Sequence, residues 1–336
     1  MIVNAIYKIV NGQNLDLETT KAVMEQIMSG EATSAQIASF LTAMRMKGES
    51  IDEITACAMV MREKCARLKP ETDVLDIVGT GGDESNTFNI STVCALVVSA
   101  AGVPVAKHGG RSVSSKCGSA DLLETLGVKI DIGVEKSEQI LKEIGLCFMF
   151  APVYHASMKY AAPVRREMSI RTLFNILGPL ANPAGANMQL LGVYDENLVE
   201  PLARVLMNLG VKRAMVVHGH DGLDEVTLCD STTVCEVNHG KLNSFFLDPA
   251  QLGFWKCGPE KLAGGDPEEN ARITLDILNG QKGPKRDVVL LNSALCLYMS
   301  HDNITLRECV KMAASAIDSG KAKKQLERFI RLSNEE

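Results

Sequence analysis

The stretch from Asp76 to Glu124 constrains this 336-residue chain more than any other. An apolar, β-branched run from Val74 to Val78 suits a buried strand, and it breaks into Gly79-Thr80-Gly81-Gly82-Asp83, which cannot continue one. Asn89-Ile90-Ser91-Thr92, mostly small and polar, then precedes Val93 to Ala101, an apolar run without Pro or Gly that Gly102 ends. The pattern predicts a strand, a glycine loop, and a helix whose N-terminus faces that loop. Glycines let backbone N–H groups approach an anion without obstruction by Cβ, and a helix N-terminus favours negative charge nearby. A second short strand, predicted over Val103 to Ala106, delivers Lys107-His108-Gly109-Gly110-Arg111 and the hydroxyls of Ser112, Ser114, Ser115 and Ser119. Two loops of βα type therefore converge on one anion. Neither is a dinucleotide fingerprint, which needs G-x-G-x-x-G, nor a P-loop, which needs a closing Gly-Lys-Ser/Thr.

The flanking sequence predicts helices only before residue 70. Ile2 to Val10 stops at Asn11-Gly12, Leu17 to Met28 at Gly30, and Ser34 to Lys47, with Thr33 as N-cap, at Gly48. A fourth helix begins at Ser50, with Glu53 completing a capping box, and runs to about Leu68 before Pro70. From about residue 71 strands and helices alternate, which predicts an α/β domain with a mainly parallel central sheet flanked by helices and with its site at the strand C-terminal ends. Ala151 to Asn187, with Pro152, Pro163, Pro179 and Pro183, interrupts the alternation. Gln189 to Tyr194, Ala214 to His218 and Thr232 to Val237 read as strands, with a helix over Leu198 to Leu209. Beyond Asp266 the pattern is helical: Glu268 to Asn279, Lys285 to Ser300, Thr305 to Asp318 and a Lys/Arg-rich terminal helix.

A chain with 46% hydrophobic and 23% charged residues can bury a globular core, and its net charge of −6 disfavours non-specific binding to nucleic acid or an anionic membrane. Ten cysteines without a C-x-x-C pair or zinc spacing read as free thiols, which fits a cytoplasmic protein. No apolar stretch approaches the length of a membrane span, and no leader pattern opens the chain.

Taken in order, Gly79-Thr80-Gly81-Gly82-Asp83, Asn89-Ile90-Ser91-Thr92, Lys107-His108-Gly109-x-Arg111, Ser114-Ser115-x-x-Gly118-Ser119-Ala120-Asp121, Arg165, Arg171-Thr172-Leu173-Phe174-Asn175-Ile176-Leu177-Gly178-Pro179-Leu180-Ala181-Asn182-Pro183 and Asp221-Gly222-Leu223-Asp224-Glu225 resemble the anthranilate phosphoribosyltransferases of tryptophan biosynthesis. The resemblance covers essentially the whole chain. It implies a nucleoside phosphorylase/phosphoribosyltransferase-like fold, with a helical dimerisation domain over residues 1–70, joined by a returning excursion near 155–187, and a PRPP- and Mg-binding α/β domain over 71–336. It also implies a homodimer and transfer of the phosphoribosyl group of phosphoribosyl pyrophosphate (PRPP) to the amine of anthranilate, releasing pyrophosphate. On the same ground PRPP is expected at Gly79, Gly82, Asp83, Thr87, Asn89, Ile90, Ser91, Thr92, Lys107, His108, Gly109, Gly110, Arg111, Ser112, Val113, Ser114, Ser115 and Ser119. Anthranilate is expected at Gly79, His108, Gly110, His155 and Arg165, and two Mg²⁺ ions at Ser91, Asp224 and Glu225.

The chemistry can be checked against the residues. Breaking the ribose C1–O bond builds negative charge on pyrophosphate, so N–H donors and a cation belong where that charge grows. Asp224-Glu225 alone reads as a solvated acidic turn, but its place after Val217-His218-Gly219, beside two phosphate loops, favours Mg²⁺. Lys107, following its strand, is expected to present its ammonium to the cleft. The weakly basic amine of anthranilate is neutral near pH 7, so no acid/base residue is assigned and alignment carries the rate. By the resemblance, Arg165 offers a fork for the acceptor carboxylate, although from sequence alone a surface pair with a neighbour such as Glu167 is the favoured reading. One departure stands out: the family loop reads Lys-His-Gly-Asn-Arg, and here its fourth residue is Gly110. The missing amide implies weaker anthranilate binding or a broader acceptor range. A related phosphoribosyltransferase or pyrimidine nucleoside phosphorylase and a non-enzymatic nucleic-acid-binding relative are the alternatives; Asp224-Glu225 and the Lys107-His108-Gly109 loop disfavour the phosphorylase, and the net charge the nucleic-acid binder.

Overall fold

The computed structural model describes residues 1–112 and 116–335. Helices α1 (Ile2–Val10), α2 (Leu17–Ser29), α3 (Ser34–Lys47) and α4 (Ile51–Lys64) come first. They are followed by β1 (Leu75–Gly79), α5 (Ile90–Ala100), β2 (Val105–Gly109), α6 (Ser119–Thr125), α7 (Val134–Ile144) and β3 (Leu146–Phe150). The excursion holds α8 (Ala151–Tyr154), α9 (Ala162–Met168) and α10 (Phe174–Leu180), before β4 (Met188–Gly192) and α11 (Val199–Asn208). Then β5 (Arg213–Gly219), β6 (Thr232–Asn238) and β7 (Lys241–Leu247) lead to α12 (Pro267–Leu278), α13 (Pro284–Ser300), α14 (Leu306–Asp318) and α15 (Lys321–Asn334). Among the described residues no helix is long and apolar enough to cross a membrane.

Local chemistry starts the helices. Capping boxes at Thr33/Gln36 and Ser50/Glu53 satisfy the first free N–H groups of α3 and α4. Glu53 does more than cap: fully buried, it also accepts from Leu15 N–H at 2.9 Å and Lys47 Nζ at 2.8 Å, so one carboxylate joins three segments of the bundle. Helix α4 stops at Lys64 and not near Leu68, because tertiary partners capture the following backbone. Ala66 N–H donates to the Tyr154 carbonyl at 2.8 Å and Leu68 N–H to that of Pro183 at 3.1 Å.

The seven strands run in the order β3-β2-β1-β4-β5-β6-β7. β1 to β5 are parallel, and β6 and β7 are antiparallel additions at one edge. Alternation sorts side chains to the two faces. Leu190, Met215 and Val217 point to the core shared with α5 and α13, whereas Leu191, Ala214 and Val216 point to the core shared with α2, α4, α10 and α11. β3 and β7 have no counterpart in the sequence reading: β3 follows α7 too closely to show a separate pattern, and β7 is an edge strand with most of its side chains wholly or partly in water. β2 begins and ends later than expected, covering Val105–Gly109, so Lys107 and His108 lie inside a strand, opposite Phe148 and Met149. Helix α5 likewise starts at Ile90, which places Ser91 and Thr92 in its first turn.

A buried polar knot binds the excursion to the sheet. Asp76 of β1, with no exposed surface, accepts from Asn182 Nδ2 at 2.7 Å and His108 N–H at 3.2 Å. Asn182 Nδ2 also donates to the Ala106 carbonyl at 2.9 Å, and its Oδ1 accepts from Ala184 N–H at 2.8 Å. Burial pushes the Asp76 carboxyl up to about 6, against the opposing influence of Lys107 and Asn182. Because the chain runs from β1 to β2 on one side and later adds β4 on the other, the ends of β1 and β4 border a topological switch point, where open α/β sheets bind ligands.

Candidate active site

Both strands at the switch point end in glycine, Gly79 and Gly192, and the Asp224-Glu225 turn lies directly on them. A Cβ at Gly192 would fall 1.5 Å from the Asp224 carbonyl oxygen, and one at Gly79 would fall 2.3 Å from Asp224 Oδ2. A side chain at 192 would displace the backbone of the turn, and one at 79 would displace the Asp224 carboxylate. Asp224 Oδ2 also accepts from Gly81 N–H at 2.7 Å, which ties the acidic turn to the glycine loop.

Burial pushes the Glu225 carboxyl up to about 7, against the opposing influence of Lys107 and of nearby Ser91. Burial, then the negative charges of Asp83 and Glu225, hold Asp224 well above the usual carboxylate range. Lys107 corrects the sequence expectation: lying inside β2, it is 3% exposed, with its ammonium donating to the Ile77 carbonyl and, at 3.3 Å, to Ser91 Oγ. Burial lowers its pKa, while Asp76 and Glu225 oppose that shift. The acidic groups thus face each other with more negative charge than Lys107 balances, and Asp83 Oδ2 is buried without a hydrogen-bond partner. An all-oxygen set of this kind suits Mg²⁺, which takes one or two carboxylates and completes its shell with phosphate oxygens and water. Ser91, Asp224 and Glu225 can supply the protein ligands. No three His, Cys, Asp or Glu side chains among the described residues stand close enough to hold an ion by themselves, which leaves the rest of the shell to substrate and solvent.

The second loop is organised by Asp121 of α6. Its Oδ2 accepts from Gly118 N–H at 2.8 Å and Ser112 N–H at 3.2 Å, and its Oδ1 pairs with Arg111 at 2.8 Å. Arg111 also pairs with Glu124 and rests 5.6 Å from the centre of the Phe150 ring, so its guanidinium is engaged by α6 and by the end of β3. Ser119 Oγ donates to the Gly110 carbonyl at 3.2 Å and lies 2.3 Å from where a Gly109 Cβ would be, which accounts for glycine at 109. At Gly110 nothing lies within 4 Å of an added Cβ. Asn89 uses its amide to donate to the Cys117 carbonyl at 3.0 Å and to accept from Asn270 at 2.9 Å, an anchor beneath the loop. Thr87 bridges to Ala263, Ile90 is buried at the start of α5, and Thr92 Oγ1 is buried with no partner. Val113, Ser114 and Ser115 lie outside the described residues.

Among the residues expected to take the acceptor, the pairing of Arg165 with Glu167 does not occur. The Arg165 guanidinium lies 5.1 Å from the centre of the Phe174 ring, without a carboxylate partner among the described residues, and burial lowers its pKa. His108 and His155 stand 5.0 Å apart, held down to about 3 and about 4 chiefly by burial, so both rings are neutral at neutral pH. Two further residues had no role assigned from the sequence. Arg171 donates from Nη2 to the Gly82 carbonyl, and Tyr194 N–H donates to Thr80 Oγ1 at 3.1 Å. The one available signal for Arg171 is a cation at the head of an apolar helical run. A cavity of about 440 Å³ lined by Asn14, Ser50, Asp52, Arg204 and Asn208 lies elsewhere, between the bundle and α11, where Arg204 is already paired with Glu200.

Known proteins share this arrangement. Residues 71–323 match the family described as "Glycosyl transferase family, a/b domain" and residues 3–65 the one described as "Glycosyl transferase family, helical bundle domain". The chain is 75% identical over 334 residues to the anthranilate phosphoribosyltransferase of Ruminiclostridium cellulolyticum, covering 99% of this chain and 98% of that one. The crystal structure of anthranilate phosphoribosyltransferase from Thermus thermophilus superposes with a TM-score of 0.94 at 42% identity, covering 98% of this chain and 99% of that one. The Saccharomyces cerevisiae enzyme in complex with PRPP and Mg gives a TM-score of 0.91 at 30% identity, covering 99% and 97% of the two chains. The chain belongs to the anthranilate phosphoribosyltransferase family.

Proposed function

We infer that this protein transfers the phosphoribosyl group of PRPP to the amine of anthranilate, forming N-(5-phosphoribosyl)anthranilate and pyrophosphate in tryptophan biosynthesis. The observation that carries this reading is the acidic turn seated on the glycine ends of β1 and β4, beside both anion loops. In this reading the backbone of the glycine loop beyond Gly81 and the N-terminal end of α5 receive the phosphates, with Lys107 fixing Ser91 from below. Mg²⁺, held by Ser91, Asp224 and Glu225, supplies positive charge against the pyrophosphate as it leaves; two ions is the number we propose. Arg165 grips the anthranilate carboxylate, and the neutral rings of His108 and His155 shape the acceptor wall without taking a proton. The remaining PRPP contacts are those implied by the resemblance.

We also take residues 1–70, with the excursion near 155–187, as a helical domain apart from 71–336; α3 packing on α9 and α4 on α10 support that division. A homodimer is supported by the stripe Val3, Tyr7 and Val10 on α1, exposed together with Met1 and Met46. Cysteines scattered through the fold, with no disulfide among the described residues, support a cytoplasmic setting.

Purified protein given PRPP and Mg²⁺ is expected to consume anthranilate fluorescence; chelation should slow this at least about 100-fold, and Mg²⁺ should restore it. Loss of fluorescence indifferent to chelation would remove the metal assignment, and no loss at all would remove the acceptor. Sedimentation equilibrium should give twice the 36.3 kDa chain mass, reverting toward monomer in Tyr7→Asp; a wild-type monomer contradicts the dimer. In the open space at position 110, Gly110→Asn is expected to add one hydrogen bond to anthranilate and lower its KM about five-fold, the equivalent of about 1 kcal/mol. Unchanged KM and selectivity would refute that role. His155 titrates at about 4 in the fold against an ordinary 6.5, so between these values the unfolded chain binds the proton and stability falls as pH falls. His155→Gln should therefore lose less stability than wild type from pH 6.5 to 4, a difference of up to about 1.4 kcal/mol per pH unit, read as a shallower fall of Tm. Parallel Tm–pH curves would count against a buried neutral ring.

A further inference from the structure

The glycine loop is gripped from two directions. From the sheet, Thr80 N–H donates to the Gly192 carbonyl at 2.9 Å and Thr80 Oγ1 accepts from Tyr194 N–H at 3.1 Å. From the excursion, Arg171 donates from Nη2 to the Gly82 carbonyl and comes within 3.5 Å of Glu84 Oε1, with its guanidinium carbon 4.5 Å from the centre of the Tyr194 ring. The fit around Gly82 is close: a Cβ there would meet the Arg171 guanidinium at 3.4 Å.

The loop needs such a grip. Gly81 and Gly82 have φ of +66° and +79°, and Glu84 and Asn86 have φ of +60° and +51°. The left-handed region is unfavourable for residues with a Cβ, so the shape at Glu84 and Asn86 persists only where the surroundings impose it. Arg171 is suited to impose it, because a planar guanidinium can lie flat on Tyr194 while directing an N–H at a carbonyl. The same short segment carries Arg165, stacked on Phe174 at the acceptor side. One stretch of chain thus presents two ring-stacked arginines, one toward each substrate.

We propose that Arg171 is a positioning residue for the phosphoribosyl transfer: it holds the glycine loop in its PRPP-receiving shape and couples that loop to the segment bearing Arg165. The proposal rests on the PRPP reading above. Without Arg171 the loop is no longer ordered in advance, and part of the PRPP binding energy goes into ordering it. Linkage requires the converse, so PRPP binding should tighten the Arg171 contact and steady the acceptor segment.

The test is calorimetry of Mg²⁺–PRPP binding, with steady-state kinetics and amide hydrogen exchange, on wild type, Arg171→Ala and Arg171→Lys. In Arg171→Ala, Kd and KM for PRPP should rise about tenfold, with kcat changed less than KM, and Arg171→Lys should recover part of the loss because it donates without stacking. Exchange at residues 80–86 of the unliganded protein should be faster in Arg171→Ala, with α1 unchanged. Should Arg171→Ala fail to fold, Tyr194→Leu removes the stacking platform while keeping the backbone N–H, and is expected to weaken PRPP binding and speed the same exchange. Wild type that does not bind PRPP would overturn the functional reading itself. Wild type that binds, with variants whose PRPP affinity and loop exchange match it, would overturn only the role of Arg171.

Discussion

The closest constraint in the molecule is the contact between the Asp224 backbone and the bare ends of β1 and β4. With the carbonyl of Asp224 where a Gly192 Cβ would stand, the acidic turn is part of the sheet's rim and does not behave as a loop hanging over it. Gly81 N–H then fastens the glycine loop to the same carboxylate, so both sides of the crevice share one support. Neighbouring parts of the site are tied together as well: Lys107 to Ser91, and Tyr194 to Thr80 of the glycine loop.

Electrostatics gives the arrangement its purpose. Asp76, Asp83, Asp224 and Glu225 cluster near Lys107, in a protein of net charge −6. Such a crevice repels a polyphosphate unless a cation stands between the two negative partners; burial first, and then the neighbouring negative charge, raises the carboxyls of Asp224 and Glu225. The acceptor side is arranged differently. The two histidines are stripped of charge by burial, and Arg165, over the Phe174 ring, is a cation without a carboxylate partner among the described residues.

Much of this was legible locally. The caps at Thr33 and Ser50 fell where hydroxyl residues precede apolar periodicity, because a cap is satisfied within one helical turn. The strand–glycine–helix order around Gly79 to Thr92 was legible for the same reason, since glycine and apolar runs act on their own backbone. The misplaced boundaries fall where distant partners intervene. β2 extends through Lys107 and His108 because β3 pairs with them, and α4 ends early because Tyr154 and Pro183 take the next donors. Arg111 and Asn89 were named for chemistry, and their contacts in the fold are with Asp121, Glu124, Cys117 and Asn270.

The sequence by itself determined the class of fold, the two glycine loops, the acidic pair and the family, because each is written in residue types at short spacing or in a fixed order. Only the tertiary structure decided that Lys107 is buried under Ser91, that Asp76 and Asn182 tie the excursion to β1, and that Arg171 reaches Gly82. It also decided why glycine is required at 79, 109 and 192. These follow from close approaches between atoms far apart in the chain, and excluded volume between distant residues leaves no periodic trace in a sequence.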